Sequence, residues 1–93
     1  MIKIFIVYDN IEQLDLFKHS TFKNLTPLVE YINMNTKDGR KNGFKLKGEW
    51  GAKTNPFCII FDGDNAIKAF YSENDWEDNA IVQLINYLKE NYD

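Results

Sequence analysis

The chain has one cysteine, one histidine and two prolines in 93 residues. A single cysteine excludes an intrachain disulfide and a multi-cysteine zinc site. A single histidine, His19, removes most remaining transition-metal designs and reads as a surface residue. No metal and no cofactor is expected. No apolar run approaches the roughly 20 residues of a membrane span, so no membrane partner is expected. Met1-Ile2-Lys3-Ile4 opens directly into a strand pattern without a signal peptide, and the expected compartment is a reducing cytoplasm. Basic charge is not in excess: the net charge is −3, and nucleic acid is not an expected partner.

What is present describes one globular domain spanning residues 1–93. Aromatic content of 15% argues against disorder. Asn, Lys and Ile make up a third of the chain, and their A/T-rich codons suggest an AT-rich genome, cellular or of a phage. Charge is unevenly spread. Residues 37–53 hold Lys37, Arg40, Lys41, Lys45, Lys47 and Lys53 against Asp38 and Glu49. Residues 62–93 hold eight acidic residues against Lys68 and Lys89. Two solvated faces of opposite sign are the simplest expectation.

Ile2 to Tyr8 predicts a strand buried on both faces. Asp9-Asn10 breaks it and can cap a short helix over residues 11–19, with Ile11, Leu14 and Phe17 on one face. Ser20 to Pro27 is ambiguous, although Pro27 disfavours helix at Thr26. Leu28 to Met34 reads as a second strand. Lys37 to Gly48, polar and with three glycines, reads as a helix interrupted by loop, with Phe44 and Trp50 as its apolar anchors. Phe57 to Phe61 and Ala66 to Tyr71 form a hairpin across Asp62-Gly63-Asp64-Asn65. Asn74-Asp75-Trp76-Glu77 fits a capping box, ahead of a helix over residues 75–91 that carries Ile81, Leu84, Ile85 and Leu88 at helical spacing.

The order is strand, helix, strand, helix, strand, strand, helix, and its local sequence resembles the thioredoxin family. Trp50-Gly51-Ala52-Lys53-Thr54-Asn55-Pro56 is similar to the family's Tyr-Gly-Ile/Val-x-x-x-Pro before the third strand. Val29 to Asn35 resembles the family's Val-x-x-x-Asn-x-Asp, and the hairpin and last helix also match. The resemblance implies an α/β, thioredoxin-like three-layer sandwich on a mixed four-stranded sheet, with Pro56 the counterpart of the family's cis-proline. A proline at the start of a strand loses a donor at little cost.

The family's redox site does not carry over. Dithiol exchange needs two thiols about one turn apart at a helix N-terminus. The corresponding stretch, Tyr8-Asp9-Asn10-Ile11-Glu12-Gln13, has no cysteine. Cys58, between Phe57 and Ile59 in a strand, reads as core. Asp62, Asp64 and Asn65 are turn residues rather than a calcium loop. Asp75, Glu77 and Asp78 suit a helix start. Gly39 to Gly43 lacks the Gly-Lys-Ser/Thr of a phosphate loop. No catalytic residue is assigned, and enzymatic activity is not expected.

The resemblance implies a binding module for a protein partner, held in a groove formed by Tyr8, Asp9, Asn10, Trp50, Thr54, Asn55 and Pro56. In the family, the backbone before the proline pairs with an extended segment, and Asn55 offers its N–H and C=O there. Trp50 reads first as a core anchor and second as a groove aromatic. An alternative follows from Thr54-Asn55-Pro56, which is similar to the Thr-Val-Pro of glutaredoxins and glutathione transferases. It implies glutathione as ligand, with Tyr8 as the sole activating candidate. A third alternative is a small structural or accessory part of a viral or replication assembly.

Overall fold

β1 (Ile2–Tyr8) runs through the middle of the domain, and its alternation supplies both halves of the core. Ile4 and Ile6 face one side of the sheet, and Val7, with Phe5, faces the other. The fold is that of a computed structural model, which describes residues 2–19, 28–72 and 80–91. β1 is followed by a 3₁₀ turn (Ile11–Leu14), α1 (Asp15–Lys18), β2 (Val29–Asn33), α2 (Lys37–Trp50), β3 (Phe57–Asp62), β4 (Asn65–Phe70) and α3 (Ala80–Asn91). The chain is therefore mixed α/β, with a four-stranded sheet in the order β2-β1-β3-β4. β2 is parallel to β1, while β1–β3 and β3–β4 are antiparallel. The expected box of residues 74–77 and the start of the last helix lie outside the described residues, as does the ambiguous segment 20–27.

Two apolar clusters sandwich the sheet. On one side Ile4, Ile6, Cys58 and Ile60 meet Leu14 and Phe17 of the first helical segment and Ile81, Leu84 and Leu88 of α3. The spacing of Leu14 and Phe17 places both inward, but Ile11 is 63% exposed. Ile11 is the first residue of the 3₁₀ turn and stands at its exposed start, beside Asn10 and Glu12, which are exposed as well. On the other side Val7, Phe57 and Ile59 meet Met34 and Ala52.

Two expectations fail in α2. It is one uninterrupted helix of 14 residues, and its two predicted anchors point outward: Phe44 is 60% and Trp50 38% exposed. The buried face is instead Gly39, Gly43 and Lys47, four residues apart. The glycines are packing residues. A Cβ on Gly39 would run into the carbonyl oxygen of Asn33, and one on Gly43 into Sδ of Met34 and Cγ1 of Val7. Removing both side chains lets the helix axis approach the sheet. The cost in helix propensity is offset by the caps. Thr36 Oγ1 accepts the Gly39 N–H at 2.9 Å, and Gly51 closes the helix at φ 68°.

The hairpin turns at Gly63-Asp64, one residue pair tighter than expected, because Asp62 and Asn65 already pair as strand residues. Gly63, at φ 60°, supplies the left-handed conformation.

Candidate functional site

The loop before β3 and the loop after β1 meet at one end of the sheet. The Asn55–Pro56 peptide bond is cis, and Pro56 is buried directly ahead of Phe57. Asn55 is the hub. Its side-chain Oδ1 accepts from Lys47 Nζ at 2.8 Å, and its Nδ2 donates to Asp9 Oδ2 at 3.3 Å. Its carbonyl accepts a long bond of 3.4 Å from Gln13 Nε2. Its N–H has no hydrogen-bond partner among the described residues.

The loop after β1 is fixed by its own sequence. Asn10 and Gln13 form a capping box around the 3₁₀ turn. Asn10 Oδ1 accepts the Glu12 N–H at 3.0 Å, while Gln13 Oε1 accepts the N–H groups of both Asp9 and Asn10 at 3.2 Å. The Gln13 amide thus holds this loop with its oxygen and the Asn55 carbonyl with its nitrogen. Asn35 Nδ2 donates to the Asp9 carbonyl at 2.6 Å, tying in the end of β2.

Lys47 lies beneath this surface with 3% of its area exposed. Burial lowers its pKa below the usual lysine value, and the charge of Asp9 opposes that shift. The expectation of six solvated basic residues in the segment 37–53 is corrected here, because α2 turns Lys47 onto its buried face.

Of the seven predicted site residues, Asp9, Asn10 and Asn55 converge, and Pro56 sits beneath them. Thr54 is adjacent, but its hydroxyl faces away and donates to the Ser72 carbonyl at 2.6 Å. Beside it lies a recess of about 220 Å³ lined by Gly51, Lys53, Thr54, Tyr71 and Ser72. Tyr8 and Trp50 do not share a surface. Tyr8 packs against the cluster on the α3 side of the sheet, whereas Trp50 ends α2 on the opposite side. Trp50 is not a core anchor, and its carbonyl accepts from the Tyr71 hydroxyl at 3.3 Å.

Gln13 and Lys47 are the functional-site residues that sequence reasoning missed. Asn10-x-x-Gln13 carried a capping signal. Lys47 carried none beyond its spacing from Gly39 and Gly43.

Cys58 is fully buried in β3, and burial drives its thiol pKa upward. Among the described residues no group of three or more metal-type side chains converges, and no helix is long and apolar enough to cross a membrane. Comparison with protein-family models, curated proteins and solved structures gives no match for the chain.

Proposed function

We propose that the chain is a thioredoxin-like domain that binds a protein partner without dithiol chemistry. The observation that carries this reading is the Asn55 N–H. It stands directly before Pro56 with no partner among the described residues, while the side chain of the same residue is fixed on two sides. A backbone donor held in place and unused is what an extended partner segment needs for main-chain pairing. The Asn55 carbonyl is less available, because Gln13 Nε2 already reaches it. A partner would share or displace that long bond. The loop after β1, where the family keeps its thiols, here holds Asp9 and Asn10 as hydrogen-bonding groups.

The test is a pull-down from a lysate of the organism that carries the chain, with wild type beside Asn55→Pro. Asn55→Pro removes the N–H and also the side chain that Lys47 and Asp9 bond, so its binding is read only where thermal unfolding shows a folded protein. Where it does not fold, the Asn55 amide of the wild type, followed by NMR with the captured partner, gives the same reading. A partner retained by wild type and lost from the folded variant, or one that moves the Asn55 amide, supports the reading. Equal retention by both, an unmoved amide, or no partner on the wild type removes the groove as the interface. Glutathione would engage the same N–H, and a millimolar titration followed at the Asn55 amide separates it from a protein partner.

A further inference from the structure

Lys47 is an incompletely used cation. An ammonium has three N–H donors. Lys47 makes one hydrogen bond, to Asn55 Oδ1, and no carboxylate lies within 4.0 Å of it among the described residues. With 3% exposure it is too buried to be compensated fully by bulk water. Asp9 does not complete it. Its carboxylate is turned to Asn55 Nδ2, and the Asn55 amide stands between the two charges. The cluster still opens to the surface, since Asp9 is exposed and Asn55 half-buried.

The unused charge and the unused backbone donor belong to the same few atoms of the fold. Lys47 bonds the side chain of the residue whose N–H has no partner among the described residues. We propose that Lys47 is the carboxylate-recognition point of the Asn55 edge. An extended segment paired to the Asn55 N–H presents a carboxylate oxygen to the Lys47 ammonium. The inference rests on the groove reading above and adds the chemistry of the partner. A neutral carbonyl satisfies one donor but leaves the buried charge uncompensated, whereas a carboxylate does both. Asp9 repels an incoming acid, so it tunes the site against weak binders.

The experiment follows the Lys47 side-chain and Asn55 amide signals by NMR. The probes are acetate, acetamide and three acetylated tetrapeptides: Val-Glu-Val-Val-amide, Val-Gln-Val-Val-amide and Val-Gln-Val-Val with a free C-terminus. Acetate is expected to move the Lys47 signal and acetamide to leave it. At least one acidic peptide should bind about tenfold more tightly than the neutral one. The two acidic peptides distinguish a side-chain from a terminal carboxylate. Lys47→Gln should abolish the preference, and Asp9→Asn should strengthen acidic binding. A Lys47 signal unmoved by every carboxylate, or equal affinity for acidic and neutral peptides, overturns the inference. The acetate and acetamide arm uses only the wild type, so it stands even where a variant fails to fold. An Asn55 amide unmoved by all three peptides counts against the groove reading instead, which keeps the two failures apart.

Discussion

The Lys47 ammonium lies 2.8 Å from Oδ1 of Asn55, and this contact joins the buried face of α2 to the loop that precedes β3. Through the same amide, Asn55 reaches Asp9 at the end of β1. Asp9 is far in sequence from Lys47 and Asn55, and the three fix the relative placement of a helix, a strand end and a loop. The arrangement costs stability, because Lys47 brings a charge into the interior without a direct counter-ion among the described residues.

That cost sets a pH dependence. The Lys47 pKa in the fold is lowered by burial from its ordinary value of 10.5, with Asp9 opposing. Between the lowered value and 10.5 the unfolded chain binds more protons than the folded one. The Lys47 contribution to stability therefore rises with pH across that window and is flat below it. Tyr31 acts in the opposite sense, because burial raises its pKa above 10.0, so its contribution falls as pH climbs beyond that value. Urea unfolding of wild type and Lys47→Gln over this range isolates Lys47, since Tyr31 is common to both. The stability difference should move in favour of wild type as pH rises. A pH-independent difference would mean that Lys47 keeps an ordinary pKa in the fold.

The strands are legible in the sequence because their signals are local. Ile2–Tyr8 and Phe57–Asp62 are dense in β-branched and aromatic residues, and the hairpin is marked by Gly63. The face of α2 is not legible, because a glycine buried for want of space looks the same in sequence as a glycine in a loop. Hydrophobicity alone marks Phe44 and Trp50 as anchors, yet the close approach of α2 through Gly39 and Gly43 leaves both outward. Asp9, Asn10 and Asn55 follow from the resemblance. Their connection through Gln13 and Lys47 depends on long-range packing that no spacing rule describes.

The three glycines of α2 should respond differently to alanine. Gly48 has open space where a methyl group would stand, so Gly48→Ala should stabilise by about 0.5–1 kcal/mol through helix propensity. Gly39→Ala gains the same propensity but drives a methyl into the Asn33 backbone, and should lose about 1–3 kcal/mol net. Gly43→Ala should fall between, because the Met34 side chain can yield while Val7 cannot readily do so. Thermal unfolding of the three variants gives the order. A destabilised Gly48→Ala, or a neutral Gly39→Ala, would show that α2 does not approach the sheet through this face.

Cys58 should be silent in the native state. It is fully buried, and burial holds its thiol protonated. Labelling by a thiol reagent should proceed only as fast as the domain opens, and become immediate in denaturant. Cys58→Ser places a hydroxyl in that apolar cluster and should cost about 1–3 kcal/mol. Rapid labelling under native conditions would show that β3 is accessible where the fold makes it central.

Gln13 gives the sharpest test of how the two loops are joined. Its oxygen accepts from two N–H groups of one loop, and its nitrogen donates to the carbonyl of the other. Gln13→Ala removes both functions and should cost about 1–2 kcal/mol, with faster hydrogen exchange at Asp9 and Asn10. Gln13→Glu keeps the acceptor and loses the donor, so protection at Asp9 and Asn10 should persist. It also sets a carboxylate against the Asn55 carbonyl, which pushes the loops apart at that point alone. The Asn55 amide resonance should therefore shift in Gln13→Glu while the Asp9 and Asn10 amides stay protected. Equal loss of protection in both variants would mean that the bond to Asn55, at 3.4 Å, holds the 3₁₀ turn more than the capping box does.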